Sequence, residues 1–291
     1  MVTVRVPATT ANLGPGFDTL GLALALYNTL TFEELPEGLV FEGVDPDYAT
    51  AENLAVISYK AVMDKLGLPM PGLRVGIRAD IPICRGLGSS AALIAAGAAG
   101  ANAAHGSPLT REEVLAVCND IEGHPDNLAP AIFGGLVASF VENEQPYIAR
   151  YSLHKSLHCT ALIPDFQLST HLARGVLPKE VPYGDAIFNI SRTAVLLKAL
   201  EEGDAETISV ALHDKLHQPF RRTLIPGFDE AEALARDCGC VAFFLSGAGP
   251  TLLCLSADPA FDGKLAARLP ELPGHWRQLP LPVDHQGLII S

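Results

Sequence analysis

Pro82-Ile-Cys-Arg-Gly-Leu-Gly-Ser-Ser-Ala-Ala-Leu-Ile-Ala-Ala-Gly-Ala-Ala-Gly-Ala-Asn102 is the stretch of the chain that decides its fold. A glycine-rich turn with two hydroxyls, Arg85–Ser90, leads directly into a proline-free run of alanines, which predicts a loop at the N-terminus of a helix. The first amides of a helix lack intrahelical partners and carry partial positive charge, so they can bind phosphate oxygens. Gly86 and Gly88 would let the backbone approach such a ligand closely.

The loop matches neither of two common phosphate-binding motifs. No lysine follows the glycines, which excludes a Walker A loop, and the spacing is not that of a dinucleotide-binding turn. Positive charge would have to come from the helix end, a metal ion and Arg85. An ordinary N-cap is the alternative interpretation, and the loop alone does not decide between the two.

Composition limits the classes of function. The 291 residues are 48% hydrophobic, enough for one large or two medium domains, and the net charge of -13 argues against nucleic acid and acidic membranes as partners. Six cysteines without metal-ligand spacing indicate small core residues in a reducing compartment, with Cys238-Gly-Cys240 as the one pair worth a redox test. No signal peptide or membrane-length apolar run is present, so we expect a cytoplasmic protein.

The order of predicted elements indicates the fold class. Strands and helices interleave in both halves, which favours an α+β fold over an all-parallel doubly wound sheet. We expect residues 2–6 to form a strand that Pro7 ends, and a capping box at Thr110 and Glu113 to begin a helix. Polarity rises near residues 142–156, which predicts two domains, 1–150 and 151–291.

Three glycine-rich segments stand at the start, middle and end of the chain: Pro7–Asp18, Arg85–Ala92 and Ser246–Thr251. In this order and spacing they resemble the GHMP small-molecule kinase superfamily. The branch most similar to this chain is the one that phosphorylates homoserine, on the evidence of Pro7–Asp18, Arg85–Ala92, Glu122–Pro130, Arg174 within Ala173–Pro178, and His217–Arg221. The resemblance implies an N-terminal α+β domain with a left-handed βαβ unit and a ferredoxin-like C-terminal domain.

The same resemblance implies an activity. It is ATP-dependent phosphorylation of the side-chain hydroxyl of L-homoserine to O-phospho-L-homoserine, a step of threonine biosynthesis, with ATP and Mg²⁺ required and a homodimer expected. Two alternatives stay open: a related kinase acting on an isoprenoid alcohol or on shikimate, and a catalytically inactive sensor on the same fold.

The family pattern also assigns the nucleotide and metal sites. Ser90 and Glu122 match the metal-binding positions and supply the hard oxygen ligands that magnesium prefers. Asn53, with Leu54, is expected to line the adenine pocket. The loop residues expected to bind ATP are Pro82, Ile83, Cys84, Arg85, Gly86, Leu87, Gly88, Ser89, Ser90, Ala91 and Ala92.

An amino-acid acceptor needs partners for its ammonium, its carboxylate and its hydroxyl. At the matching positions Asp18 would pair with the ammonium, and Arg174 and Arg221 would bind the carboxylate through charge-assisted forks. The residues expected around the hydroxyl are Asn12, His124, Asn127 and Thr170. Arg222 is interpreted as a solvated surface residue.

No general base is assigned with this set. Asn127 stands where related kinases have an aspartate, and an amide cannot accept a proton at neutral pH. We therefore expect catalysis by positioning and electrostatics, with Asn127, Arg174 and Glu122 as the catalytic residues and late loss of the proton to solvent or phosphate. His124 is the alternative base, and Asp126 is expected to point away from the site.

Overall fold

The computed structural model describes residues 1–291 and contains two sheets flanked by helices. The strands are β1 (Val2–Ala11), β2 (Leu20–Leu35), β3 (Leu39–Glu42), β4 (Gly72–Ala79), β5 (Leu136–Glu142), β6 (Gln145–Tyr151), β7 (His158–Pro164), β8 (Ala242–Leu245), β9 (Leu252–Ser256), β10 (Trp276–Pro280) and β11 (Ile289–Ile290). The helices are α1 (Leu54–Leu66), α2 (Ser89–Ala104), α3 (Arg111–Glu122), α4 (Leu128–Phe133), α5 (Thr170–Gly175), α6 (Tyr183–Glu202), α7 (Ala205–Ala211), α8 (Gln218–Arg221), α9 (Phe228–Asp237) and α10 (Phe261–Arg268).

The larger sheet has seven strands and is built around the 16-residue β2. Its order is β11-β1-β2-β4-β3, and β5 pairs with the start of β2, on the same edge that β4 occupies farther along the strand, with β6 beyond β5. Only β3 and β4 are parallel, and α1 is the crossover between them, so they form a βαβ unit, whose left-handedness stays a prediction. The α+β class predicted from the sequence is confirmed.

The prediction that Pro7 ends the first strand is wrong. β1 continues to Ala11, and its register with β2 shifts between Pro7 and Ala8. Proline lacks the N–H that a regular ladder requires, and an irregularity of this kind accommodates it. The consequence is that β1 brings Thr9 and Thr10 into the centre of the molecule, beneath the phosphate-binding loop.

Helix α2 packs against its neighbours with almost no side-chain bulk between them. A Cβ placed on Gly97 would lie 2.1 Å from the Ala55 carbonyl oxygen, and one on Gly100 would lie 2.5 Å from the Phe32 ring. The alanine-rich stretch is a helix, as predicted, and it starts at Ser89. This packing fixes the loop that precedes it.

The smaller sheet has the topology expected for the C-terminal half. Its four antiparallel strands are ordered β10-β7-β9-β8, with helices between β7 and β8 and between β9 and β10. This is the β-α-β-β-α-β arrangement of a ferredoxin-like fold. One face contributes Phe244 and Leu253 to a core shared with the larger sheet, and the other face packs Phe243 against α9 and α10.

Several features were not expected from the sequence. The polar region near 142–156 contains the edge strand β6, and β11 returns from the end of the chain to pair with β1. The division into domains 1–150 and 151–291 stays a prediction. All six cysteines are free, and Cys84 alone is exposed. None of the helices combines the length and apolarity needed to cross a membrane.

Candidate active site

A cavity of about 510 Å³ lies between the C-terminal half and the glycine-rich turn Arg85–Ser90 at the start of α2, called the phosphate loop below. Most of the predicted site residues line this cavity. Those lining residues are Asn12, Asp18, Asn53, Leu54, Ile83, Cys84, Arg85, Gly86, Gly88, Ser89, Ser90, Ala91, Glu122, His124, Asn127, Thr170, Arg174 and Arg221. Three expected residues, Pro82, Leu87 and Ala92, do not line it. Leu87 and Ala92 are instead fully buried in the hydrophobic core.

The loop before α2 leaves its amides available to a ligand. Gly86 and Gly88 have φ of 76° and 70°, in the left-handed region that favours glycine. Gly88 is the N-cap and offers no side chain to the first-turn amides, whereas Asn53 caps α1. The geometry is that of an anion-binding helix end facing a cavity.

The loop Ser246–Thr251 closes the site from the C-terminal half. Ser246 Oγ donates to the Gly86 carbonyl oxygen at 2.5 Å, and the Thr251 amide donates to the Arg85 carbonyl oxygen at 3.2 Å. A Cβ on Gly86 would lie 2.4 Å from the Ser246 carbonyl oxygen. The third glycine-rich segment, Ser246–Thr251, is thus hydrogen-bonded directly to the second, Arg85–Ala92.

Ser90 and Glu122 meet at the end of the cavity next to the phosphate loop. Ser90 Oγ donates to Glu122 Oε2 at 2.9 Å, and Glu122 is the last residue of α3. Burial raises the pKa of the Glu122 carboxyl, and the hydrogen bond from Ser90 opposes that rise. A desolvated carboxylate beside a hydroxyl supplies hard oxygen donors of the type that magnesium takes.

Asp18 and Arg174 bind each other across the cavity. The guanidinium of Arg174, in the last turn of α5, donates to both carboxylate oxygens of Asp18 at 2.8 and 3.0 Å. The Phe17 ring lies beneath the guanidinium groups of Arg174 and Arg221, 5.7 and 5.1 Å from its centroid. Asp18 and Arg174, predicted to bind the ammonium and the carboxylate of an amino acid, therefore both lie in the cavity and form an ion pair with each other.

Arg221 is a buried cation without a carboxylate partner. It is 2% exposed, and it donates to the carbonyl oxygens of Ala173 and Gly247, each at 3.1 Å. Burial lowers the pKa of Arg221 to about 10. Arg222 instead pairs with Asp229 outside the cavity, as expected for a surface residue.

Asn12 positions Asp18 and the closing loop. Its φ of 74° is left-handed, its Oδ1 accepts from the Asp18 amide at 3.0 Å, and its Nδ2 donates to the Gly247 carbonyl oxygen at 2.9 Å. The segment between them is held from the far side, where His217 Nε2 donates to the Gly14 carbonyl oxygen at 2.9 Å. These hydrogen bonds hold the first glycine-rich segment in place from both sides.

The expectation that Asp126 points away from the site is wrong. Asp126 is 2% exposed and lines the cavity, with its Oδ1 2.8 Å from His124 Nδ1 and 2.9 Å from the Asn127 amide. This hydrogen bond raises the pKa of His124 against the opposing effect of desolvation. A tight turn from Gly123 to Asn127 folds Asp126 back, a direction that residue types alone do not reveal.

Sequence reasoning missed the wall of the cavity next to Asn53. Asn53 uses its side chain locally, accepting from the Ala55 amide at 3.0 Å and donating to the Tyr48 carbonyl oxygen at 2.9 Å. The further lining residues there are Gly43, Val44, Asp45, Asp47, Tyr48, Thr50 and Glu52. They come from the irregular connection between β3 and α1, which has no motif.

Comparison with known proteins agrees with the geometry. Residues 53–135 match the family described as GHMP kinases N terminal domain, and residues 196–272 match GHMP kinases C terminal. A homoserine kinase of Clostridium botulinum is 42% identical, in an alignment that covers 100% of this chain and 99% of that protein. The chain belongs to the GHMP kinase family. Membership of this kinase family implies the use of ATP.

Further relatives and solved structures support the same family. A homoserine kinase of Clostridium beijerinckii is 41% identical over 100% of this kinase and 98% of that protein. The crystal structure of homoserine kinase from Cytophaga hutchinsonii has a TM-score of 0.89 at 26% identity, covering 100% and 97% of the two chains. The Methanococcus jannaschii mevalonate kinase shares the fold, with a TM-score of 0.73 at 15% identity over 97% and 98%.

Proposed function

We propose that this kinase transfers the terminal phosphoryl group of ATP to the side-chain hydroxyl of L-homoserine, giving O-phospho-L-homoserine. One observation carries the proposal: Asp18, Arg174 and Arg221 converge in the cavity that also contains the phosphate loop. An α-amino acid has the ammonium and the carboxylate that these three side chains complement.

The pairing of Asp18 with Arg174 is the reason that we expect the acceptor to carry both an ammonium and a carboxylate. An acceptor that separates them replaces this one ion pair with three, if its ammonium binds Asp18 and its carboxylate binds Arg174 and Arg221. An acceptor with one charge leaves a partly buried group without a partner, which is costly. Mevalonate and shikimate have a carboxylate and no ammonium, so the site disfavours them.

The reaction needs charge neutralisation and alignment more than covalent help from the protein. The amides before α2 and Arg85 hold the triphosphate, and Asn127 orients the acceptor hydroxyl. Magnesium held by Ser90 and Glu122 would neutralise charge that develops on the phosphate oxygens. The expected route of the hydroxyl proton is late loss to solvent or phosphate, with His124, held by Asp126, as the competing acceptor.

A substrate panel tests the proposal. Purified protein is assayed for ATP consumption with L-homoserine, 4-hydroxybutyrate, 3-aminopropan-1-ol, mevalonate and shikimate. L-Homoserine is expected to exceed every other acceptor in kcat/KM by about 100-fold, since a site built for a polar group rejects analogues that lack it. Equal use of mevalonate or shikimate would favour the related-kinase alternative, and no consumption with any acceptor would favour the inactive sensor.

The homodimer expected from the family stays a prediction. Sedimentation velocity of the purified protein at micromolar concentration is expected to give a species of twice the 30.8 kDa chain mass. A species of the chain mass alone would contradict it.

A further inference from the structure

We infer that Thr9 is a positioning residue that fixes which way the side-chain amide of Asn127 faces. The inference rests on the proposed function, because the acceptor hydroxyl is the group that Asn127 would meet. Thr9 itself does not line the cavity and is fully buried in β1, so any effect it has on the reaction passes through its neighbours.

Thr9 connects the phosphate loop to Asn127. Its Oγ1 donates to Asn127 Oδ1 at 2.8 Å, and its backbone amide donates to the Leu87 carbonyl oxygen at 3.1 Å. A Cβ on Gly88 would lie only 2.0 Å from Thr9 Oγ1, so the start of α2 packs directly on this hydroxyl. One residue thus contacts both the loop that holds the phosphoryl donor and the side chain that meets the acceptor.

A second neighbour selects the same orientation of the amide. Asp126 Oδ1 accepts from the Asn127 backbone amide at 2.9 Å and lies 3.4 Å from Asn127 Nδ2. A flipped amide would place Oδ1 against this carboxylate and would lose the bond from Thr9. Thr9 as donor and Asp126 as acceptor therefore agree on one arrangement.

This arrangement sets what Asn127 can do. Thr9 takes one of the two lone pairs of its oxygen and fixes the amide in this orientation, in which Nδ2 has an N–H to donate to the acceptor. Donation to the hydroxyl oxygen places that atom without removing its proton. Since small misplacements of reacting atoms cost large factors in rate, the orientation of this amide bears on turnover more than on nucleotide affinity.

Thr9→Val and Thr9→Ser test the inference. Valine keeps the branched shape and removes the hydroxyl, whereas serine keeps the hydroxyl. Thr9→Val is expected to lower kcat by about 10-fold, the equivalent of one hydrogen bond, while the dissociation constant of a non-hydrolysable ATP analogue stays unchanged. Thr9→Ser is expected to stay within about twofold of wild type in kcat.

Thr160→Val is the matched control, because Thr160 is equally buried and its hydroxyl donates to Asp262 in the C-terminal half. Its kcat is expected to equal that of wild type. If Thr9→Val does not fold, Thr9→Ala takes its place with the same expectations. The inference is overturned by wild-type kcat in the valine or alanine variant, by a serine variant as slow as either, or by analogue binding that weakens in proportion to kcat. A wild-type protein that binds the analogue and does not phosphorylate homoserine would instead overturn the proposed function.

Discussion

The charged side chains of Asp18, Arg174 and Arg221, which line the cavity, all have partners within the protein. Asp18 and Arg174 form a two-point ion pair, and Arg221 is buried against carbonyl oxygens and the Phe17 ring. Each of these contacts involves residues that are far apart in sequence. The residue types could be assigned from the family pattern, but their mutual pairing could not.

Arg174→Ala is expected to weaken the use of homoserine by about 30-fold in kcat/KM, mainly through KM, because the carboxylate loses one of its two guanidinium partners and Asp18 loses its own. Steady-state kinetics with homoserine varied at saturating ATP measure it. Arg222→Ala is the control, since Arg222 lies outside the cavity and should leave both constants unchanged. A change of less than about threefold in Arg174→Ala would remove Arg174 from the site.

Glu122→Ala is expected to lower kcat by about 100-fold with little change in KM for homoserine, because the metal would lose its carboxylate ligand. The same steady-state assay, repeated over a range of magnesium concentrations, measures it. Glu112→Ala is the control, as an exposed glutamate of the same helix. Near-normal turnover in the Glu122 variant would argue against the metal site.

The direction in which Asp126 points and the role proposed for Thr9 were not foreseen from the sequence, and both have the same physical reason. Asp126 and Thr9 act through the direction in which a turn and a strand present their side chains. Asp126 follows a proline in a short turn, and Thr9 lies beyond Pro7, where the strand was expected to end. Residue type and spacing indicate what a side chain can do, and the direction it faces depends on the packing of distant segments.

At the scale of elements, α3 shows how much local sequence can determine. Thr110 Oγ1 accepts from the Glu113 amide at 3.2 Å, and Glu113 Oε2 accepts from the Thr110 amide at 2.8 Å, which is the predicted capping box. Glu122, the last residue of this helix, lines the cavity, so the cap that holds the start of the helix also helps to hold that carboxylate in place. Thr110→Ala is expected to lower the free energy of unfolding by about 1 kcal/mol in urea denaturation, and no loss would contradict the role of the cap.

The contribution of Glu113 to stability is expected to depend on pH. Hydrogen bonds from Thr110 lower the pKa of the Glu113 carboxyl below its ordinary value of 4.5. Its stabilising effect is therefore complete above 4.5 and is lost as the pH falls through the lowered pKa. Urea denaturation of wild type and Glu113→Gln should differ at pH 7 and converge in acid, with Glu112→Gln as the control. A difference that persists or grows in acid would contradict this sign.

Other elements were harder to predict because tertiary pairing overrides local signals. Pro7 would end a regular strand, yet the register shift beside it lets β1 continue. The polar stretch of β6 forms a strand because β5 offers it an edge, and two-residue β11 exists only through its pairing with β1. The partner of β11 lies at the other end of the chain, whereas β5 and β6 are neighbours that a tight turn connects.

At the scale of the whole molecule, the two sheets share one hydrophobic core. The larger cluster joins Phe32 and Tyr59 of the first half with Phe244 and Leu253 of the second. The clamp of Ser246 on Gly86 adds a polar link at the site. Two domains could be predicted from composition, but the extent of this shared interior could not, because it arises from faces on distant segments.

We therefore expect the chain to unfold in one cooperative transition. Trp276, the only tryptophan, reports on the smaller sheet through its fluorescence, while far-UV circular dichroism also includes α1, α2 and α3 of the other half. Urea midpoints from the two signals should coincide, as required of a two-state transition. Two separated midpoints would show that the halves unfold independently.

The glycines of α2 leave no clearance between this helix, α1 and Phe32. A methyl group at Gly97 or Gly100 would push α2 away from α1 or from Phe32, so the helix that lines the cavity with Ser90 and Leu93 has no room to move. Helix α5, by contrast, lines the cavity from the C-terminal half with Thr170 and Arg174, and its Leu172 is 51% exposed. We therefore expect substitutions on the α5 side to change which acceptors are used, and substitutions at Gly97 or Gly100 to cost stability instead.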